Sequence, residues 1–250
     1  MVPTLSLGPL SLPVPAILLI FGFWLGSALA EKEASRLNIK VDSLANLLLL
    51  SLLIGLLGAR ISYAATFPGA FRGNLLSLLS LNPNLLDLQA GLLLALFSSW
   101  VIGQRSGLPL WRTLDALIPF FGMMLLFYHL SNFAAGTGYG LATDLPWAVQ
   151  LWGAKRHPVQ LYLSLGNLTV TAAFMLLPNF QKRLPGARFL LFLSLISIWE
   201  VFASGFKQSG SLIGPGIRLA QVGFFFLAAA GLIAYHSLWR RYRKEETLET

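Results

Sequence analysis

The sequence predicts an all-α polytopic membrane protein with about seven transmembrane helices, its N-terminus outside and its C-terminus inside. Three observations carry that expectation. Of 250 residues 56% are hydrophobic and only 11% charged; the mean hydropathy is +0.69; and the apolar residues fall into separate runs of bilayer-spanning length. A water-soluble fold could not cover that much apolar surface. A helix of about 20 apolar residues, by contrast, satisfies its own backbone donors and acceptors inside lipid.

The first run, Val14–Ala30, follows a segment, Met1–Pro15, that lacks the positive charge of a signal peptide, so it is read as a retained span. The second, Ser43–Phe67, contains Gly58-Ala59-Arg60 near its end. The third, Leu85–Gly103, is the least regular, because Asp87 and Gln89 sit at its start. The others are Thr113–Ala134, Pro158–Leu177, Ala187–Phe206 and Leu219–Trp239. Together they make a single transmembrane domain over residues 1–250, with no internal repeat, no low-complexity tract and a solvated tail, Glu245–Thr250.

Orientation follows from the excess of Lys and Arg in cytoplasmic loops. With the N-terminus outside, the inner segments hold Lys32, Arg36, Lys40, Arg105, Arg112, Lys182, Arg183, Arg188, Arg240, Arg241, Arg243 and Lys244. The outer segments hold only Arg72, Lys155, Arg156, Lys207 and Arg218. Two of those outer segments, Pro68–Asn84 and Ala135–Arg156, are long for simple connectors and are expected to cover an outward-facing cavity, or to anchor aromatics at the interface.

The formal charge of +8 does not point to nucleic acid, since the cations are scattered in short clusters between apolar runs. With no cysteine, disulfides, thiolate metal sites and a cysteine nucleophile are excluded. A transporter or channel fits poorly, because matching halves with paired interrupted helices are missing and intramembrane charges are few.

Ionisable groups at membrane depth are costly unless paired or wet, so each is a candidate for function. Arg60 is either an arginine snorkelling to the headgroups or a cation for phosphate. Glu200 either pairs with Arg60 or His129 to hold helices together or takes part in chemistry. His129 is an interhelical hydrogen-bonding group or a proton carrier. The stretch Asn132-Phe133-Ala134-Ala135-Gly136-Thr137-Gly138-Tyr139-Gly140 carries three glycines in five residues, suited to a re-entrant turn or to close approach of a ligand. In Arg156-His157-Pro158-Val159-Gln160-Leu161-Tyr162 the proline suits a first helical turn, which places His157 near the N-cap. An arginine, a histidine and a helix start favour an anion there, and an ordinary interfacial helix start is the other reading.

These strings resemble the prolipoprotein diacylglyceryl transferase family over most of the chain. The resemblance rests on Gly58-Ala59-Arg60 with Tyr63, Asn132-Phe133 leading to Gly136 and Gly140, Arg156-His157-Pro158 with Gln160-Leu161-Tyr162, Glu200 and Gln221. It implies transfer of a diacylglyceryl group from phosphatidylglycerol to the lipobox cysteine of a preprolipoprotein, in the bacterial cytoplasmic (inner) membrane, with no metal or organic cofactor. For a divergent transferase the catalytic candidates are His129, His157 and Glu200, with His129 or His157 taking the thiol proton. Arg60, Tyr63, Asn132, Gly136, Gly140, Arg156, Gln160 and Tyr162 would bind substrate.

The chain departs from the family at polar positions. The family's arginine three residues before the asparagine is His129, its His-Gly-Gly is Gln89-Ala90-Gly91, its acidic residue after the glycine is Thr137, its glutamate after Gln-Leu-Tyr is Leu163, and its arginine four residues before Glu200 is Ile196. The first span also lacks the family's tyrosine. Two function classes therefore follow: a divergent transferase, in which Arg60, Arg156 and Lys207 supply cations, or a non-catalytic lipid-binding or structural subunit that keeps the fold.

Overall fold

Long apolar runs without water must close their hydrogen bonds internally, and here they do so as helices. The computed structural model describes residues 4–7, 10–70, 85–177, 184–208, 212–213 and 216–248. Most of the outer segment Pro68–Asn84, with Arg72, and the inner cations Lys182 and Arg183 lie outside the described residues. The chain packs as two compact units, one within Ala34–Thr113 and one within Met1–Glu33 and Leu114–Thr250.

The smaller unit is built on a helical hairpin of α2 (Val41–Thr66) and α3 (Leu88–Arg105). Small residues let the two backbones meet: a Cβ on Gly55 would lie 2.9 Å from Gly91 O, and one on Gly91 3.0 Å from Gly55 O. The open end of the hairpin is tied by side chains. Arg60, in the last turn region of α2, donates from Nη1 to Leu85 O at 2.8 Å. Asp87 caps α3, accepting from the Gln89 and Ala90 amides, and its second oxygen accepts from Ser62 Oγ at 2.7 Å. The Ser62 hydroxyl and, next, the Ala90 amide hold the Asp87 carboxyl below the usual carboxylate range.

The larger unit holds α1 (Val14–Arg36, as far as Glu33), α5 (Ile118–Ala135), α6 (Val159–Leu176), α7 (Ala187–Ser204) and α8 (Leu219–Leu248). A short helix, α4 (Leu110–Ala116), runs into it from the smaller unit. In the bundle α5 packs on α6, α6 on α7 and α7 on α8. Glycines make the close approaches, as where the Trp199 indole of α7 lies over Gly166 of α6. The interior mixes polar with apolar residues and the rim is apolar: Asn167, Thr171, Ser194 and Ser197 are buried along with Ile118, Leu163 and Phe192, while Phe225, Phe226, Leu165 and Phe202 are exposed. An apolar rim suits a bundle solvated by hydrocarbon.

One end of this bundle is pinned by charge. Arg188 at the start of α7 is 2% exposed; it donates from Nη1 to Glu33 Oε1 of α1 at 2.5 Å and from Nη2 to Phe174 O of α6 at 2.9 Å. Asp115 of α4 accepts from the Gly186 and Phe189 amides at 2.7 and 2.8 Å, capping α7 from a neighbouring segment. At the opposite end lie two short antiparallel hairpins. They are β3 (Val149–Leu151) with β4 (Ala154–Arg156), and β5 (Leu212–Ile213) with β6 (Ile217–Arg218). A third hairpin, β1 (Thr4–Leu7) with β2 (Leu10–Pro13), precedes α1.

Among the described residues six helices are long and apolar enough to cross a membrane: α1, α2, α5, α6, α7 and α8 through Lys244. The chain is therefore a mostly helical, multi-pass membrane protein. The third expected span is found as the 18-residue α3, but Gln89, Gln104 and Arg105 at its ends keep it out of the six. Three boundaries differ from expectation. The span expected from Thr113 is divided at Leu117, with Asp115 held on the preceding α4 by the α7 amides. α6 begins at Val159 with Pro158 as its N-cap, which leaves His157 one residue further out than expected. α8 runs on to Leu248, so most of the expected tail is helical.

Candidate functional site

Two buried ionisable groups of the larger unit, His129 and Glu200, meet where α5 and α7 end and α6 begins. His129 comes from the penultimate turn of α5, which stops at Gly136, whose φ of 72° is the left-handed conformation that terminates helices. Glu200 comes from the last turns of α7. His129 Nε2 lies 2.8 Å from Glu200 Oε1, and these two residues are 4% and 2% exposed. Glu200 Oε2 is 3.9 Å from Lys207 Nζ, just beyond α7. Of the partners expected for Glu200, His129 is thus the one found.

Beside this pair is a cavity of about 380 Å³ with a nearly even polar and apolar lining. His129, Asn132 and Gln160, all expected as site residues, line it, together with Lys207, Arg218 and Ser204. The glycine segment closes one side. Thr137 and Gly138 are in the wall, the Gln160 side chain donates to Thr137 O at 2.7 Å, and Thr137 Oγ1 bonds Asn132 Oδ1 at 3.2 Å. Gly140 bridges to Lys207 in antiparallel fashion and packs so closely on His157 that a Cβ there would meet its backbone. The segment Ala135–Arg156 thus gives Thr137 and Gly138 to the cavity wall.

The other expected residues of this unit form a neighbouring cluster that does not line the cavity. Arg156 is held by its loop neighbours: Nε donates to Leu151 O at 3.1 Å and Nη1 to Gln208 Oε1 at 2.9 Å, with the guanidinium 4.8 Å from the Tyr139 ring centre. His157 Nδ1 is 3.3 Å from Tyr162 Oη, which accepts from the Trp147 indole at 2.7 Å. Gly136 O accepts from the Trp152 indole at 3.0 Å. Arg60 and Tyr63 belong to the smaller unit, where Arg60 holds Leu85 and Tyr63 stacks 4.9 Å from Phe67.

A sequence model of the prolipoprotein diacylglyceryl transferase family matches residues 3–237, nearly the whole chain. The chain belongs to that family. Among similar proteins bearing the name phosphatidylglycerol–prolipoprotein diacylglyceryl transferase, that of Clostridioides difficile (strain 630) is 27% identical over 219 residues, 88% of each chain. That of Nitratidesulfovibrio vulgaris (Hildenborough) is 31% identical over 233 residues, 89% of this chain and 85% of its own. That of Prochlorococcus marinus (NATL1A) is 26% identical over 280 residues, covering 97% and 91%.

Within this diacylglyceryl transferase family the departures of the chain acquire a structural setting. Ile196 is 4% exposed and packs with the apolar side chains of Ile118, Phe174 and Phe192. Leu163 is 1% exposed and packs with Val159 and Ala203. The cavity cation that sequence reasoning missed is Arg218, counted only as an outer-loop charge. A lone arginine in a short Gly- and Pro-rich connector carries no periodic signal, and only its backbone pairing in β6 brings it to the cavity.

Proposed function

We propose that this chain transfers the diacylglyceryl group of phosphatidylglycerol to the thiol of a lipobox cysteine in a preprolipoprotein. The observation that carries the reading is the buried His129–Glu200 pair, whose His129 lines a headgroup-sized, half-polar cavity, in a chain that belongs to this transferase family.

The chemistry follows from that pair. A thiol is a poor nucleophile until it loses its proton. With Glu200 Oε1 accepting from Nε2–H of His129, the other ring nitrogen, Nδ1, holds the lone pair and takes the thiol proton. Sulfur then bonds to the glyceryl carbon that carries the phosphate, and the carbon–oxygen bond to phosphate breaks. Glycerol phosphate leaves with both bonding electrons and one more negative charge than the diester had. Asn132 and Gln160 lie where a hydroxylated headgroup finds amide partners.

The proposed topology has seven spans, N-terminus outside and C-terminus inside, in a bacterial cytoplasmic membrane. Parity supports it. Glu33 in the last turn of α1, Asp115 before α5, Phe174 in α6 and Arg188 in α7 meet at one end of the bundle. An even number of crossings therefore separates α1 from α5, and α3 is the helix that returns the chain after α2 crosses. The Lys and Arg excess assigns that end to the cytoplasm.

Purified protein incubated with phosphatidylglycerol and a lipobox peptide should yield a thioether-linked diacylglyceryl peptide and glycerol phosphate by mass spectrometry. A second reading, a lipid-binding subunit without turnover, is favoured by Leu163 and Ile196, which stand in apolar clusters where the family has charges. Lipid bound by folded protein with no glycerol phosphate released would establish that reading and overturn the first.

A further inference from the structure

The cavity holds more positive charge than the His129–Glu200 pair uses. Arg218 is 9% exposed and lines the wall. It donates from Nη1 to Gly205 O at 3.3 Å and from Nη2 to Lys207 O, which fixes the guanidinium against the end of α7. Its backbone amide donates to Gln221 Oε1 at 3.0 Å, and Gln221 in turn holds Val201 O. The anchoring is incomplete, because Arg218 Nε is buried with no hydrogen-bond partner, as is Ser204 Oγ, and both residues are in the cavity wall. Buried donors left unsatisfied are costly, and they mark a place where a ligand or water completes the set. Lys207, tied to Arg218 through its carbonyl, brings a second cation 3.9 Å from Glu200. Two cations, Lys207 and Arg218, line the cavity, and no carboxylate is among its described lining residues.

We propose that Lys207 and Arg218 form the phosphate subsite of this cavity and grip the phosphate of a phosphoglycerol lipid. The proposal rests on the transferase reading for the identity of the lipid and adds to it the residues that hold the headgroup. A planar guanidinium and a flexible ammonium suit a tetrahedral anion whose charge changes during reaction. As the carbon–oxygen bond breaks, the phosphodiester monoanion becomes a phosphomonoester dianion. Fixed cations beside it bind the transition state more tightly than the ground state. The subsite thus stands next to the base that takes the thiol proton.

Binding and turnover test the assignment separately. The full chain in detergent is titrated with phosphatidylglycerol and, in parallel, with diacylglycerol, without acceptor peptide. Arg218→Gln and Lys207→Gln are each expected to weaken phosphatidylglycerol binding about tenfold and leave diacylglycerol binding unchanged; Arg218→Lys recovers part of the loss. Kinetically, kcat should fall more than KM rises. Unchanged phosphatidylglycerol binding in folded Arg218→Gln and Lys207→Gln would overturn the subsite. So would equal loss of both lipids, the signature of a structural staple. Variant-sensitive binding in a chain that performs no transfer sinks the transferase reading and keeps the subsite; transfer by variants with unaltered constants does the reverse.

Discussion

His129 Nε2 and Glu200 Oε1 lie 2.8 Å apart across α5 and α7, joining residues 71 positions apart in the chain. Both are almost fully removed from solvent. A carboxylate in that setting is stable only beside a donor, and the imidazole it faces is fixed in one tautomer by the contact. Packing and chemistry therefore impose the same geometry on these two side chains.

Loss of either member should cost about 10²- to 10⁴-fold in turnover. Glu200→Gln keeps the shape and removes the charge, so it isolates the electrostatic part. The double variant, Glu200→Gln with His129→Gln, should be scarcely slower than the worse single, because the two act as one unit. Release of glycerol phosphate is the readout. Full turnover by Glu200→Gln would reduce the pair to a helix fastener.

The Glu33–Arg188 contact predicts a different pattern, in stability. Arg188→Met alone removes the buried guanidinium that bridges Glu33 and Phe174 O and should cost about 3–5 kcal/mol. Replacing both, Glu33→Leu with Arg188→Met, should recover most of that loss. Thermal unfolding of the three variants in detergent checks this, and a double variant as unstable as the single would contradict it.

Gly166 and Gly223 form a controlled pair. A methyl group at Gly166 would collide with the Trp199 indole, whereas nothing lies within 4 Å of one at Gly223. Gly166→Ala should lower stability by about 1–3 kcal/mol, while Gly223→Ala should be neutral or slightly stabilising. Melting temperatures compared side by side decide the matter.

The Asp87 carboxyl contributes acid-sensitive stability to the α2–α3 hairpin. Its folded value lies below the ordinary one of about 3.9, so the contribution is complete above that value and is lost as pH falls through the lowered one. Ser62→Ala removes the first cause of the shift and should move the titration up toward the ordinary value. Carboxyl NMR titration of labelled Asp87 measures it, and an unmoved titration would show that the cap alone sets the value.

The chain has no cysteine, so single cysteines report topology against a clean background. Lys155→Cys and Asp144→Cys should react with an impermeant maleimide added outside intact cells. Lys40→Cys and Arg105→Cys should react only after permeabilisation. Labelling of Arg105→Cys from outside would remove α3 from the spans.

Hydropathy made the helices legible because lipid imposes a length and a composition on each one. It could not place the break at Leu117, since a segment that continues through Asp115 and one that stops there have the same composition, and only the α7 amides distinguish them. The site was half legible. His129, Asn132, Gln160 and Glu200 stand at helix ends, where an isolated polar group in an apolar run is conspicuous. Arg156 was conspicuous beside His157 and a helix start, yet its guanidinium is engaged by Leu151 and Gln208, a fact about loop conformation that no spacing encodes. Arg218 was the reverse case, inconspicuous in its connector and central once β6 pairs with β5.

The oily contacts around Ile196 also limit what the position can become. A cation placed there would arrive among Ile118, Phe174 and Phe192, at a desolvation cost that these apolar side chains do nothing to offset. Any redesign that brings charge to this turn of α7 would have to begin with the neighbours.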